Sequence, residues 1–273
     1  LSNQVRSGKA ASCNLGFTLA KGDIIVNLDA DCSYDCNAIE KLIEPFTDPR
    51  VGATTGALGV RNFDQSVVTA YQAIEYVVSI GMGKRALDML DLIVCASGAF
   101  GAFRREALAQ VGMLDPGPGE DFDLTLRLRR SGWKISFAAD SWCFTDTPAT
   151  FAAIIRQRRR WDRDTIRTRM RKFRDALSPG RRSFSLLETF EQIEWLVLNV
   201  LVTIVFPIYV AWLFLVFGSG AIDILAAVAL VYLLLDAISF LMALSICGRY
   251  DSRMVFSIAP YLLTFGLYNG VFM

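Results

Sequence analysis

The sequence predicts an α/β domain followed by membrane-spanning helices, and three observations predict it. Short apolar runs alternate with helix-periodic stretches through roughly the first 150 residues, the pattern of strands and helices packed in layers. Farther on, residues 195–217 and 255–273 carry no charge, and residues 224–247 carry only Asp236. Each of these stretches is long enough to cross a bilayer, which takes about 20 mainly apolar residues. Between the two regions lies a basic block, residues 156–174, with ten Lys or Arg against two Asp.

The elements follow in order. Residues 9–20 read as a helix, with Ala11, Leu15 and Leu19 at four-residue spacing and Gly22 behind them. Residues 24–28 are a nearly continuous apolar run, the pattern of a buried parallel strand covered on both faces. That strand sets Asp29 at its carboxyl end. A helix is predicted over 37–46, strand-rich structure over the β-branched, Gly-spaced residues 51–63, and a helix over 67–89. The Gly- and Ala-rich residues 93–104 lead into a helix near 105–111, and Pro116-Gly117-Pro118-Gly119 signals a loop. Residues 120–130 read as a helix with acids in the first turn, arginines in the last and Gly132 after it. A strand over 133–138 follows, and Thr147 and Pro148 read as cap and first residue of the long basic helix.

The chain has 273 residues, 53% of them hydrophobic, a net charge of +1, six cysteines without a CxxC pair and no histidine. A structural zinc site is excluded on that pattern, as is any Ser-His or Cys-His nucleophile. The basic block, lying on the soluble side of the spans, puts the first 190 or so residues in the cytoplasm under the positive-inside tendency. The short uncharged loop 218–221 and the loop 248–253 with Arg249 and Arg253 agree. Reduced thiols are expected there. The predicted organisation is a cytoplasmic α/β domain over 1–177, an interfacial segment over 178–194, and a membrane region over 195–273 with spans near 195–217, 222–247 and 254–273. Because the chain opens at Leu1 without Met or a signal peptide and stops inside its third apolar run, it reads as a piece cut at both ends.

Three constellations can carry chemistry. Asp29 and Asp31 stand where an open α/β sheet binds ligands, outside the carboxyl end of a strand. Two carboxylates suit a divalent cation completed by substrate phosphates and waters; Asp-Xaa-Asp also occurs in turns, where Asp bonds its own backbone. Glu120 and Asp121 open a helix. The positive end of the helix dipole favours an anion there, and an ionised carboxylate can take a proton from an attacking hydroxyl; acids in a first turn are equally helix-start chemistry. Gln157, Arg160 and Trp161 fall at i, i+3 and i+4 and share one helix face. Arg160 can fork onto a phosphate, and Trp161 can offer a platform to a sugar ring. Attraction to anionic lipid is the competing account of the basic block, and it covers Arg167, Arg169, Arg171 and Lys172.

Together these residues resemble the processive members of glycosyltransferase family 2, which include the cellulose, chitin, hyaluronan and poly-N-acetylglucosamine synthases. The order and spacing of Asp29/Asp31, Glu120-Asp121 and Gln157/Arg160/Trp161, followed by membrane spans, carry the likeness. The segment from Lys9 to Asn14, Ser97-Gly98-Ala99-Phe100 and Arg104 to Leu108 are also similar to the family's. The resemblance implies a Rossmann-like GT-A fold and a nucleotide-diphosphate sugar donor, such as UDP-N-acetylglucosamine or UDP-glucose. It implies Mg2+ or Mn2+, inversion at the anomeric carbon, and processive addition to a growing β-linked polysaccharide by a multi-pass protein of the inner (plasma) membrane. Asp121 would be the base; Asp31 would meet the metal, with Asp29 serving metal and donor; Lys9 and Arg160 would bind donor. Glu120, Gln157, Trp161, Ser97 and Gly98 would line the acceptor side. Two departures stand out: Gly119 replaces the Thr that many members have before Glu-Asp, and the family's first strand and upstream acidic nucleotide motif are missing. The chain is therefore expected to be N-terminally incomplete and inactive alone.

Two other classes remain in view. A non-processive transferase acting on a lipid carrier would share Asp29/Asp31, but such enzymes often lack the Gln/Arg/Trp helix. A transporter or structural membrane protein would account for Asp236, since an ionisable residue within a span is a functional candidate. Nucleic acid is excluded as a partner, because the Arg run lacks interleaved aromatics. An accessory membrane subunit is compatible with the pattern.

Overall fold

Strands β1 (Ile24–Leu28), β2 (Ser33–Tyr34), β3 (Val51–Val60), β4 (Phe100–Arg104) and β5 (Lys134–Thr145) form one sheet in the order β1-β4-β3-β5-β2. The computed structural model describes residues 8–115, 117, 119–178, 185–247 and 252–272. Pro116 and Pro118 of the predicted loop, and residues 248–251 of the second predicted loop, lie outside those residues. All ten residues of β3 are buried, which fits its small and β-branched composition at the sheet centre.

Helices α1 (Lys9–Leu19), α5 (Arg105–Val111) and α6 (Glu120–Arg130) cover one face. Phe17, Leu108, Leu124 and Leu128 pack there against Ile25, Ala53, Phe103 and Ile135. On the opposite face, Ala38 and Leu42 of α2 (Ala38–Ile43) meet Leu58, Phe100, Ala102 and Cys143. The result is a three-layer α/β/α domain.

Strand β1 has the predicted bounds but not the predicted direction. It pairs antiparallel with β4, Ile24 opposite Arg104 and Leu28 opposite Phe100, and only β3 and β5 run parallel. An apolar run reports that both faces are covered: Ile25 points into one core, Ile24 and Val26 pack against the other. It carries no information on direction, which the pairing partner sets. Strand β5 extends well past the predicted Ala138, because its register with β3 jumps from Gly56/Ala138 to Ala57/Trp142 and the pairing resumes beyond the bulge.

The helix predicted over 67–89 is continuous. Helix α3 (Val67–Glu75) passes through a π-helical stretch, Tyr76–Gly83, into α4 (Lys84–Met89). Ser66 caps it, accepting from the Thr69 N–H at 3.2 Å while Thr69 Oγ1 accepts from the Ser66 N–H at 2.9 Å. The basic helix α7 (Phe151–Arg167) starts later than predicted, with Thr150 as its N-cap. Thr147 is engaged elsewhere, its N–H donating to Asn62 Oδ1 at 2.9 Å, and the Pro148 carbonyl accepts from Gln72 Nε2 at 2.8 Å.

Beyond the domain, α8 (Leu186–Trp195) continues through a π-helical stretch, Leu196–Leu201, into α9 (Val202–Phe217). The interfacial segment predicted over 178–194 is thus, from Leu186 on, the first part of a 32-residue helix. Helix α10 (Gly220–Cys247) is the second long apolar helix. Only 6% of the most apolar window of each is buried, so these are not core helices of a soluble domain, and their surfaces suit lipid. The third apolar run differs from the predicted span. It breaks at Ala259–Tyr261 into α11 (Ser252–Ile258) and α12 (Leu262–Phe272). Pro260 sits in the break. Met254, Ile258, Phe265 and Tyr268 are buried with Val68, Tyr71 and Ile74 of α3, Ile154 of α7 and Phe240 of α10.

The basic block is also more structural than a lipid-facing stretch. Arg169 is buried, bonded to Gln192 at 3.0 Å and Glu191 at 2.9 Å, and lies between the rings of Phe122 and Trp195. Lys172 pairs with Asp115 and with the buried Asp123. Arg167 and Arg171 stay exposed, as lipid attraction requires.

Leu124 has no exposed surface and joins α6 to the sheet. Leu124→Ala is expected to destabilise the domain by about 2–5 kcal/mol, read as a lowered thermal midpoint of the detergent-solubilised protein.

Candidate active site

The antiparallel β1/β4 ladder continues one residue past β1, where the Asp29 N–H donates to the Ala99 carbonyl at 3.0 Å. This sets Asp29 beside the turn that precedes β4. Every backbone N–H in that turn is spoken for. Ala96 N–H donates to Thr125 Oγ1 (2.9 Å), Ser97 N–H to Thr55 Oγ1 (3.2 Å), Gly98 N–H to Asp121 Oδ2 (3.1 Å) and Ala99 N–H to Ser97 Oγ (3.3 Å). Buried amides left without such acceptors are costly, so Thr55 and Thr125 hold the turn in place.

Gly98 is the point of convergence. Its carbonyl accepts from Asn27 Nδ2 at 2.8 Å and Lys9 Nζ at 3.4 Å. A β-carbon added to Gly98 would lie 3.3 Å from Asp121 Oδ2 and 3.5 Å from Lys9 Nζ. A side chain there would press on the Asp121 carboxylate, which would have to give way by a few tenths of an ångström. Lys9 Nζ also donates to Asp29 Oδ1 at 3.0 Å. Burial opposes the charge on Lys9, but the bond to Asp29 and the charges of Asp29, Glu120 and Asp121 outweigh it and raise its pKa. Asn14 fastens α1 in this position, its amide donating to the Leu114 carbonyl at 2.7 Å and accepting from the Leu114 N–H at 3.0 Å.

Asp121 lies in the first turn of α6, half-buried, with Oδ1 accepting from the Phe122 N–H at 2.8 Å. Gly119, which caps the helix, has φ +74°, and a β-carbon there would lie 3.2 Å from Asp164 Cβ. Both the left-handed backbone and the close approach of α7 explain why this chain has no Thr at that position. Asp164 is buried, one to two turns beyond Gln157, Arg160 and Trp161 on α7. Trp161 and Arg160 are exposed, while Gln157 Oε1 is buried with no hydrogen-bond partner among the described residues.

Asp31 sits in the exposed turn after β1. Arg61 steadies that turn, reaching the Asp31 carbonyl at 3.2 Å while forked onto Asp146, and Tyr34 donates its hydroxyl to the Asp29 carbonyl at 2.7 Å. No cluster of three acidic, Cys or His side chains occurs among the described residues. A pair of carboxylates with open positions still fits magnesium or manganese chemistry, in which substrate phosphates and waters complete the shell. Lys9 already balances Asp29, whereas Asp31 is exposed.

Of the predicted site residues, the structure gathers Lys9, Asp29, Ser97, Gly98, Glu120 and Asp121 around one turn. Residues 2–163 match the family model described as glycosyltransferase like family 2. The chain belongs to glycosyltransferase family 2. Relatives of this family-2 chain include two proteins named poly-β-1,6-N-acetyl-D-glucosamine synthase. With that of Staphylococcus aureus strain COL it shares 32% identity over 192 residues, 70% of this chain and 46% of the relative. With that of Staphylococcus epidermidis it shares 29% over 261 residues, 92% of this chain and 61% of the relative. The chain thus spans about half to three-fifths of the length of the curated relatives it matches. Among solved structures, a mannosyltransferase from Pyrobaculum calidifontis, determined with GDP-Man and Mn2+, covers 98% of this chain with a TM-score of 0.59 at 19% identity; the chain covers 68% of it. That likeness establishes the GT-A fold of the family-2 domain.

Sequence reasoning passes over Asn27, Thr55, Thr125 and Asp164. A polar side chain inside the apolar run 24–28 is the one signal that could have been used, for Asn27. Cys95, also beside Asp121, is held toward its protonated form: burial, and after it the Asp121 carboxylate, push its thiol well above the ordinary range. Iodoacetamide at neutral pH is expected to label the exposed Cys36 well before Cys95, as peptide mass spectrometry would show.

Proposed function

We propose that this chain is the catalytic part of a membrane-bound inverting glycosyltransferase. It moves a sugar from a nucleotide-diphosphate donor to a growing β-linked polysaccharide. The observation that carries this reading is the meeting of Lys9 and Asp121 at Gly98, with Asp29 bonded to Lys9 and the Gln157/Arg160/Trp161 helix packed against the start of α6. The names of the two staphylococcal relatives favour UDP-N-acetylglucosamine as donor and a poly-N-acetylglucosamine as product.

The acceptor hydroxyl gives its proton to Asp121 as its oxygen attacks the anomeric carbon from the face opposite the diphosphate. The bond from that carbon to the leaving oxygen breaks, and the electron pair departs with the nucleotide. The configuration inverts. Lys9 and Arg160 set positive charge beside the diphosphate, and Trp161 stacks on the acceptor sugar with Glu120, Gln157, Ser97 and Gly98 around it. Gln157 Oε1, buried without a partner among the described residues, is suited to accept from an acceptor hydroxyl. Asp31, with Asp29, would hold a divalent cation, which when bound neutralises the charge of the departing diphosphate. The domain faces the cytoplasm of a multi-pass plasma-membrane protein, supported by the basic residues beside α8 to α10.

Membranes carrying the full-length protein are expected to convert labelled UDP-N-acetylglucosamine into high-molecular-weight polymer. Asp121→Asn should lower turnover by about 10²–10⁴-fold while donor binding, followed by titration calorimetry, persists. Near-normal turnover in that variant would remove Asp121 from the base role. Chelation with EDTA should abolish polymer formation and added Mg2+ or Mn2+ restore it; activity indifferent to chelator would sink the assignment of Asp31.

A further inference from the structure

The second residue of the Gln157–Trp161 motif does not face the Gly98 turn. Arg158 turns toward α3, where its Nη2 lies 2.6 Å and 2.5 Å from the two oxygens of Glu75. Glu75 is buried, and its Oε2 also accepts the hydroxyl of the buried Tyr268 of α12 at 2.8 Å. On its way to Glu75 the Arg158 guanidinium passes over the Trp161 ring, 4.7 Å from the centroid. Trp161 therefore rests on a cation whose own position is fixed from below by a carboxylate.

The joint is built in two rungs. One turn before Glu75 on α3, Tyr71 donates its hydroxyl to Thr264 Oγ1 at 2.7 Å and stacks on Tyr268 at 5.0 Å. One turn after Thr264 on α12, Tyr268 donates back to Glu75. Helix α3 and its cap also hold the segment that leads into α7, through Ser66 Oγ to the Ala149 carbonyl at 2.9 Å and Gln72 Nε2 to the Pro148 carbonyl.

We propose that Glu75, Arg158 and Tyr268 are positioning residues that fix the Trp161 ring, so that the broken third apolar segment sets the geometry of the acceptor platform. Ion pairing alone does not require this arrangement, because an arginine at the surface of α7 could pair with any neighbouring acid in water. Burying the pair commits it to one geometry: Glu75 cannot be left without Arg158 and Tyr268, and Arg158 cannot leave Glu75 without uncovering the Trp161 ring. The relevance of this brace to sugar transfer rests on the acceptor role given to Trp161 above.

The test uses the full-length protein labelled with 5-fluorotryptophan, the Trp161 resonance being assigned by its loss in Trp161→Phe. Tyr268→Phe removes one hydroxyl, and Glu75→Gln removes the charge. Both are expected to shift or broaden the Trp161 resonance while the other tryptophans hold theirs. Steady-state kinetics with an added oligosaccharide acceptor should show its KM rising about threefold or more, with the donor KM within about twofold. A Trp161 resonance unmoved in Tyr268→Phe protein of unchanged thermal midpoint overturns the proposal. If the resonance moves and the acceptor KM does not, the brace stands and the acceptor reading of Trp161 falls.

Discussion

The hydrogen bond from the Gly98 N–H to Asp121 is the contact on which the rest of the site depends. It joins the turn before β4 to the first turn of α6, and that turn also carries β1 through the antiparallel ladder. The two amides before Gly98, those of Ala96 and Ser97, are closed by hydroxyls from different elements, Thr125 of α6 and Thr55 of β3. Three segments far apart in sequence are locked to one short stretch of backbone. A displacement of Asp121 would leave a buried amide without a partner, so the position of the carboxylate and the shape of the turn are one variable.

Much of this arrangement is legible in the amino-acid sequence. The bounds of β1 and α6 follow from the apolar run and from the acid-to-arginine gradient of residues 120–130, both local signals. Strand direction is not legible, because Ile24, Ile25 and Val26 look the same whether their partner runs parallel or antiparallel. The late start of α7 is hidden for a similar reason. Thr147-Pro148 has good helix-start chemistry, but Asn62 and Gln72, some eighty residues away, claim both residues first. Such competition between local preference and distant partners is visible only once the chain is folded.

At the site, residues with rare chemistry can be read and their supports cannot. Asp29, Asp121 and the Gln157/Arg160/Trp161 face announce themselves by type and spacing. Thr55 and Thr125 are ordinary members of a strand and a helix, and nothing in their own neighbourhoods marks them as acceptors for the Ser97 and Ala96 amides. Arg169 and Lys172 show the opposite error. In a run of like charges each looks solvated, yet the fold supplies Glu191, Gln192, Asp115 and Asp123 as partners.

The 32-residue helix from Leu186 to Phe217 also acts as a ruler. At about 1.5 Å per residue it is about 48 Å long, whereas the hydrocarbon layer it would cross is about 30 Å thick. The surplus of about 18 Å corresponds closely to Leu186–Trp195, the stretch clamped to the domain by Arg129, Arg130 and Arg169. If the apolar part lies in a bilayer, this helix, which passes through the π-helical stretch Leu196–Leu201, ties the height of the Gly98 turn above the lipid to residue count. Inserting or deleting residues in that overhang would change both the elevation of the site and, at about 100° per residue, the direction in which it faces.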